Sequence, residues 1–197
     1  ITCSNTKDFT LSVNDDSYNL QLFSQLINAK GYKYNTKKYE ITRRTQNTKL
    51  SFMHRLVRRG SSFMNKVSAS FTKDIVLRNS YFPRRIEFRY VLKHFGKIYP
   101  SLHRELLRGG AKLNEAKRQM LLGVSFGETD FEKHLSTLLY QNMPLCFVEN
   151  FKLVIAESKK HYPSKVKCIF SANAWYYDEA FKYWAAKSSE NGTKLIG

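Results

Sequence analysis

The residues best placed to do chemistry lie near the end of the chain. Ser171-Ala172-Asn173-Ala174 is a small-residue turn between an apolar run, Val166 to Phe170, and an amphipathic stretch marked by Tyr177, Phe181, Trp184 and Ala185. Small side chains let a ligand approach the backbone, and the amide groups that open a helix suit a phosphate or another anion. Ser171 and Asn173 add hydrogen-bonding side chains, and Lys182, two turns on, can reach back toward a bound group. The plainer reading stands beside this one: Ser and Asn are ordinary caps where a strand turns into a helix, and Lys182 is a solvated lysine. Asp178 and Glu179 fall in the first helical turn, where acids complement the macrodipole and need no further role. Trp175, Tyr176 and Tyr177 can stack on a base or a sugar, and Tyr177 equally fits the core.

No catalytic residue is identified. His54, His94, His103, His134 and His161 are scattered. The chain has no metalloprotease HExxH, no nucleophile elbow and no P-loop. Cys3, Cys146 and Cys168 are far apart and form no CxxC pair, so neither a zinc site nor a disulfide framework is expected, and Cys168 reads as core. No metal and no cofactor is expected.

The elements that position the turn follow from periodicity. Val166–Phe170 is a short buried strand, the stretch around Phe181 a helix ended by Asn191-Gly192, and Thr193–Ile196 a second strand. Strand, helix, strand over 166–196 is a βαβ unit, which requires parallel strands. Ligands of such sheets bind beyond the strands' carboxyl ends, where Ser171–Ala174 lies.

Upstream, Thr129-Asp130-Phe131-Glu132 is a capping box opening a helix whose stripe is Phe131, Leu135, Leu138 and Leu139, ended by Met143-Pro144. A second helix carries Phe147, Phe151, Val154 and Ile155 and ends at Tyr162-Pro163. Asp74–Leu77 is expected to be a short strand and 84–95 a helix broken by Tyr99-Pro100; 101–122 continues the helical pattern, interrupted at Gly109-Gly110. Residues 1–14 alternate around Phe9, Leu11 and Val13 as a strand or arm. A helix capped at Asp15-Asp16-Ser17 then runs to Gly31. Residues 32–48 read as a polar loop and 49–70 as a basic amphipathic helix, or two short ones. The expected architecture is α/β and Rossmann-like, with helix-rich N-terminal two thirds. A basic, mostly helical part spans 1–123, and a helical pair with the start of a Rossmann-like layer spans 124–197.

Composition excludes disorder: 42% of the 197 residues are hydrophobic. The net charge is +17, and it is localised. Thr42–Gly123 holds 19 Lys and Arg against 4 Asp and Glu, while Val124–Gly197 holds 9 against 8. A field of this kind draws phosphates, whether of nucleic acid, anionic lipid or a nucleotide-linked substrate. No apolar run reaches the roughly 18 residues of a membrane span.

The last segment, VKCIFSANAWYYDEAFKYWAAKSSENGTKLIG, resembles a family of transferases of bacterial surface-carbohydrate and O-antigen biosynthesis, similar to capsule-polysaccharide synthesis transferases. The features shared are the Ser171-Ala172-Asn173 turn, the acidic pair Asp178-Glu179, Phe181-Lys182-Tyr183-Trp184, the small pair Ala185-Ala186 and Gly192-Thr193-Lys194. TDFEKHLSTLLYQNMPLCFVENF, residues 129–151, also resembles the family, and NSYFPRRIEFRYVLKHFGKIYP, residues 79–100, does so more diffusely. The specific match covers about 126–197. The resemblance implies a GT-B-type enzyme, cytoplasmic or at the inner face of the membrane. Its partners would be a nucleotide-sugar donor, an anionic or lipid-linked saccharide acceptor and an anionic membrane surface. It also implies a Gln-His-Gly-Gly-type motif after the strand entered at Lys194. On that view the 197 residues are a fragment, inactive alone. The alternatives are a basic nucleic-acid-binding protein, for which no helix-turn-helix signature, zinc pattern or RNP-type aromatic motif is present, and a non-catalytic scaffold or membrane-surface module.

Overall fold

The computed structural model describes residues 3, 6–33, 35, 73–94, 97–101, 112–123 and 127–197. The basic stretch 49–70 and the glycine pair at 109–110 lie outside them. Four short strands, β1 (Lys73–Arg78), β2 (Ile98–Pro100), β3 (Val166–Ser171) and β4 (Lys194–Ile196), form one sheet in the order β2-β1-β3-β4. Every pairing is parallel, in register Val76↔Tyr99, Val76↔Ile169 and Ile169↔Leu195. The fold is α/β and Rossmann-like, with the rest of the described chain mostly helical: α1 (Thr6–Val13), α2 (Asp16–Ala29), α3 (Arg84–Lys93), α4 (Glu115–Leu122), α5 (Asp130–Asn142), α6 (Phe151–His161), α7 (Ala174–Tyr177) and α8 (Glu179–Glu190). The sheet draws strands from both sides of residue 124.

Side chains alternate across a strand, so the row Tyr99, Val76, Ile169 points to a single face. All three are buried there with Tyr162, Ala174, Phe181, Trp184 and Ala185. Helix α8 supplies Phe181, Trp184 and Ala185 at helical spacing and packs between the sheet and α6. Tyr162 stacks on Trp184 with ring centroids 4.5 Å apart and planes 14° apart, and the Trp184 indole donates to Pro163 O at 2.8 Å. On the opposite face Phe82 stacks on Phe170, centroids 5.7 Å apart.

A second centre holds the helical layer together. Arg118 of α4 is completely buried, and its guanidinium grips Glu149 through Nε at 2.7 Å and Nη2 at 3.0 Å. The same group donates to the carbonyls of Tyr140 and Met143, which terminate α5 and have no helical partner of their own. The capping box at Thr129 is formed on both sides, and Met143 closes α5.

Four expectations are corrected. Residues 6–13 are helix rather than strand: Phe9 and Val13, four residues apart, share a helical flank, Leu11 falls on the opposite, exposed side, and Phe9 packs edge-on against Tyr18 of α2. Tyr99-Pro100 does not merely break α3; it belongs to β2, an edge strand, where a proline's missing N–H is tolerated. Phe147 lies in a 3₁₀ turn (Leu145–Phe147) ahead of α6, not within it. The helix expected to run through Tyr177 and Phe181 is two helices, broken at Asp178, whose extended backbone (φ −103°, ψ 92°) makes it the N-cap of α8.

Candidate functional site

The strand order places a reversal between β1 and β3. From β1 the chain moves outward to β2 on one side, and from β3 outward to β4 on the other. The connections leaving β1 and β3 therefore diverge, and in open α/β sheets the crevice for a ligand lies at the carboxyl ends of such a strand pair. The two loops beside it are Asn79–Pro83, after β1, and Ala172–Asn173 with α7, after β3.

A buried ion pair fixes these loops. Arg78 ends β1 on the α8 face, two residues beyond Val76. Its Nη2 lies 2.7 Å and its Nε 3.1 Å from Asp178 Oδ2, with both side chains 4% exposed. Nη1 donates to Ser101 O at the end of β2, at 3.1 Å. Asp178 is satisfied throughout: Oδ1 accepts the Phe181 amide at 3.0 Å as the cap of α8, and Oδ2 also accepts the Tyr162 hydroxyl at 3.2 Å. One carboxylate thus ties β1, the start of α8 and the end of α6 together. Burial, and then the Asp178 carboxylate, push the Tyr162 hydroxyl well above the usual phenol range, against the opposing pull of Arg78. The Tyr99 hydroxyl, donating to His161 O at 2.8 Å, is pushed by burial up to about 12.

Around this lock the loops exchange neutral hydrogen bonds. Asn79 Nδ2 donates to the Tyr177 hydroxyl at 2.7 Å, and that hydroxyl donates to Asn173 Oδ1 at 2.8 Å. Asn173 Nδ2 in turn donates to the Tyr81 hydroxyl. Asn79 and Tyr81 both have left-handed backbones, φ 48° and 58°. That conformation is uncommon for Asn and an outlier for a bulky residue such as Tyr. Such strain persists only where the surroundings impose it, and it clusters at functional sites.

The sequence-derived candidates fall as follows. Ser171 is fully buried at the end of β3, its hydroxyl accepting the Ala174 amide at 3.0 Å. The Ala172 amide donates to Asn79 O at 3.2 Å. Ala174 is buried in the core, and Asn173 is half-buried between Tyr177 and Tyr81. Lys182 pairs with Glu179 at 2.7 Å on α8. Ser171, Ala172, Asn173 and Ala174 are contiguous with the crevice, while Lys182 engages its own helix. Sequence pattern does not single out Arg78, Asn79, Tyr81 or Tyr162 as site residues, and it gives Asp178 only a place at the helix dipole and in the family resemblance. The available signal was a charged residue closing an otherwise apolar strand, Ile75-Val76-Leu77-Arg78, with Asn79-Ser80 behind it. Among the described residues no group of His, Cys, Asp and Glu is arranged to hold a metal ion. Nor, among those residues, is any helix long and apolar enough to cross a membrane.

A parallel sheet with a reversal between its central strands is a frame on which α/β proteins bind ligands. The chain belongs to the LIC12162 family of transferases, whose family model matches residues 1–197. No curated protein and no solved structure matches it.

Proposed function

We propose that the chain is part of a GT-B-like glycosyltransferase. It would move a sugar from a nucleotide-activated donor to a lipid-linked saccharide acceptor in cell-surface polysaccharide synthesis, at the inner face of the membrane. The observation that carries the reading is the reversal between β1 and β3, with the Asn79–Pro83 and Ser171–Ala174 loops at its mouth, in a member of a transferase family. The resemblance of residues 126–197 to surface-carbohydrate transferases supports the choice of sugar as the group moved. The localised basic charge suits a diphosphate donor and an anionic surface.

In such a transfer the acceptor hydroxyl oxygen bonds to the anomeric carbon while the bond from that carbon to the diphosphate oxygen breaks. The leaving diphosphate keeps the bonding pair and is stabilised by amide and cationic donors. A general base takes the acceptor's proton.

The test is thermal stabilisation of the full-length protein by a panel of nucleoside diphosphates and their sugar conjugates. A specific nucleotide present at about 100 times its Kd stabilises by about 2.7 kcal/mol. Silence toward every nucleotide, with binding to RNA or to anionic vesicles instead, would refute the proposal.

A further inference from the structure

The loops at the crevice carry no charge of their own. Residues 79–83 and 171–177 contain only neutral side chains, and the ion pair behind them, Arg78–Asp178, is buried and self-satisfied. The amides of Ala172 and Ala174 are already bonded within the protein. Residues 79–83 and 171–177 themselves therefore bring no charge to a diphosphate, and what they do offer, amide and hydroxyl groups beside aromatic rings, suits a neutral, hydroxyl-rich group.

The hydrogen-bond relay has a direction. It starts at the Asn79 amide, passes through the Tyr177 hydroxyl and Asn173, and ends on the Tyr81 oxygen as acceptor. A phenol has one hydrogen to give. With its oxygen occupied by Asn173, Tyr81 keeps that hydrogen for a group outside the relay, and aligned hydrogen bonds polarise one another along a chain. Tyr81 is nevertheless 75% exposed, and its backbone is held at φ 58°. A large aromatic residue kept in a strained conformation, anchored by its hydroxyl while its ring stays in water, gives the fold little in return. Its neighbour Phe82 already supplies the packing, against Phe170.

We infer that Tyr81, anchored by Asn173, is a sugar-binding residue of the proposed transferase site. The apolar C–H face of a neutral pyranose lies on the Tyr81 ring, and one of its oxygens accepts the Tyr81 hydroxyl hydrogen. This rests on the transferase reading above and adds to it the moiety that this corner of the crevice holds. Acceptor and donor conjugate both carry such a sugar, and the probes below distinguish the two sources.

The experiment measures binding to full-length protein of three probes: methyl pyranosides, nucleoside diphosphates and nucleotide sugars. Wild type is compared with Tyr81→Phe, Tyr81→Ala and Tyr81→Gly. Loss of one neutral hydrogen bond weakens binding by roughly three- to tenfold, so Tyr81→Phe should weaken pyranoside or nucleotide-sugar binding by that factor. Tyr81→Ala should weaken it further, and nucleoside diphosphate binding should not change with either. An effect on methyl pyranosides assigns the acceptor sugar, and an effect on nucleotide sugars alone assigns the donor's. Tyr81→Gly relieves the left-handed strain, so its thermal midpoint should equal or exceed that of wild type while sugar binding is lost. The inference is overturned if wild type binds no sugar, if Tyr81→Phe and Tyr81→Ala bind sugar as wild type does, if nucleoside diphosphate binding falls in parallel, or if Tyr81→Gly lowers the midpoint. The nucleoside diphosphate arm on wild type separately tests the transferase reading.

Discussion

Replacing Asp178 by Asn retains an oxygen to accept the Phe181 amide and cap α8, yet removes the charge that faces Arg78. The guanidinium would then sit, with 4% exposure, beside a neutral amide. Breaking a buried ion pair from one side costs about 3–5 kcal/mol, because the stranded charge has lost its hydration without compensation. Arg78→Met strands the carboxylate and should cost a similar amount, eased by the bonds Asp178 keeps to Phe181 N and the Tyr162 hydroxyl. The double variant strands no charge at this site. It should be less unstable than the sum of the singles by about 2 kcal/mol or more, within the range that contacting residues show in such cycles. Urea unfolding of the four proteins, with a common slope, gives the coupling directly. Additive losses would mean that the pair does not act as a unit, and the idea of one lock fixing both crevice loops would have to be abandoned.

The second ion pair makes a pH prediction. Burial pushes the Glu149 carboxyl up, but Arg118 and the Asn114 amide outweigh it and hold the group below its ordinary 4.5. A depressed carboxylate stabilises the fold above its unfolded value, so that stability should drain away as pH falls from about 4.5 through the lowered folded value, and Glu149→Gln should flatten the acid limb of an unfolding curve. At the alkaline end Tyr99 has the opposite sign. Its hydroxyl is raised to about 12, so its contribution is complete below pH 10 and is lost as pH climbs from 10 through 12; Tyr99→Phe should reduce that loss when unfolding is followed between pH 9 and 12. Gly192, at φ 86° with open space where a Cβ would be, ends α8 in a left-handed turn. Gly192→Ala should cost about 1–2 kcal/mol in thermal unfolding, a purely backbone effect.

What was legible in the sequence was local. The capping box at Thr129 and the 166–196 unit announce themselves through residues a few positions apart, and β1 is an apolar run bounded by polar residues. Strand β2 was not legible, because three residues including a proline carry no period. The break at Asp178 was hidden, since Tyr177 and Phe181 keep helical spacing across it. The crevice was legible by half. Its β3 side follows from the βαβ reading, whereas Arg78 meets Asp178 across 100 residues and no pattern in either neighbourhood points to the other.

The central pairing, β1 with β3, joins Lys73 to Val166. At about 5–20 residues per second of synthesis, β1 waits roughly 5–20 s on the ribosome for the neighbour it will keep. Until then the more local β2 can occupy one of its edges, and the other stands open to any strand in reach. The helices made in the interval are gathered by Arg118, whose partners Tyr140, Met143 and Glu149 all precede β3. Variants of Arg118 would therefore be most harmful during translation, as a nascent chain with its central strand exposed, and a chaperone should matter more to them than their equilibrium stability suggests.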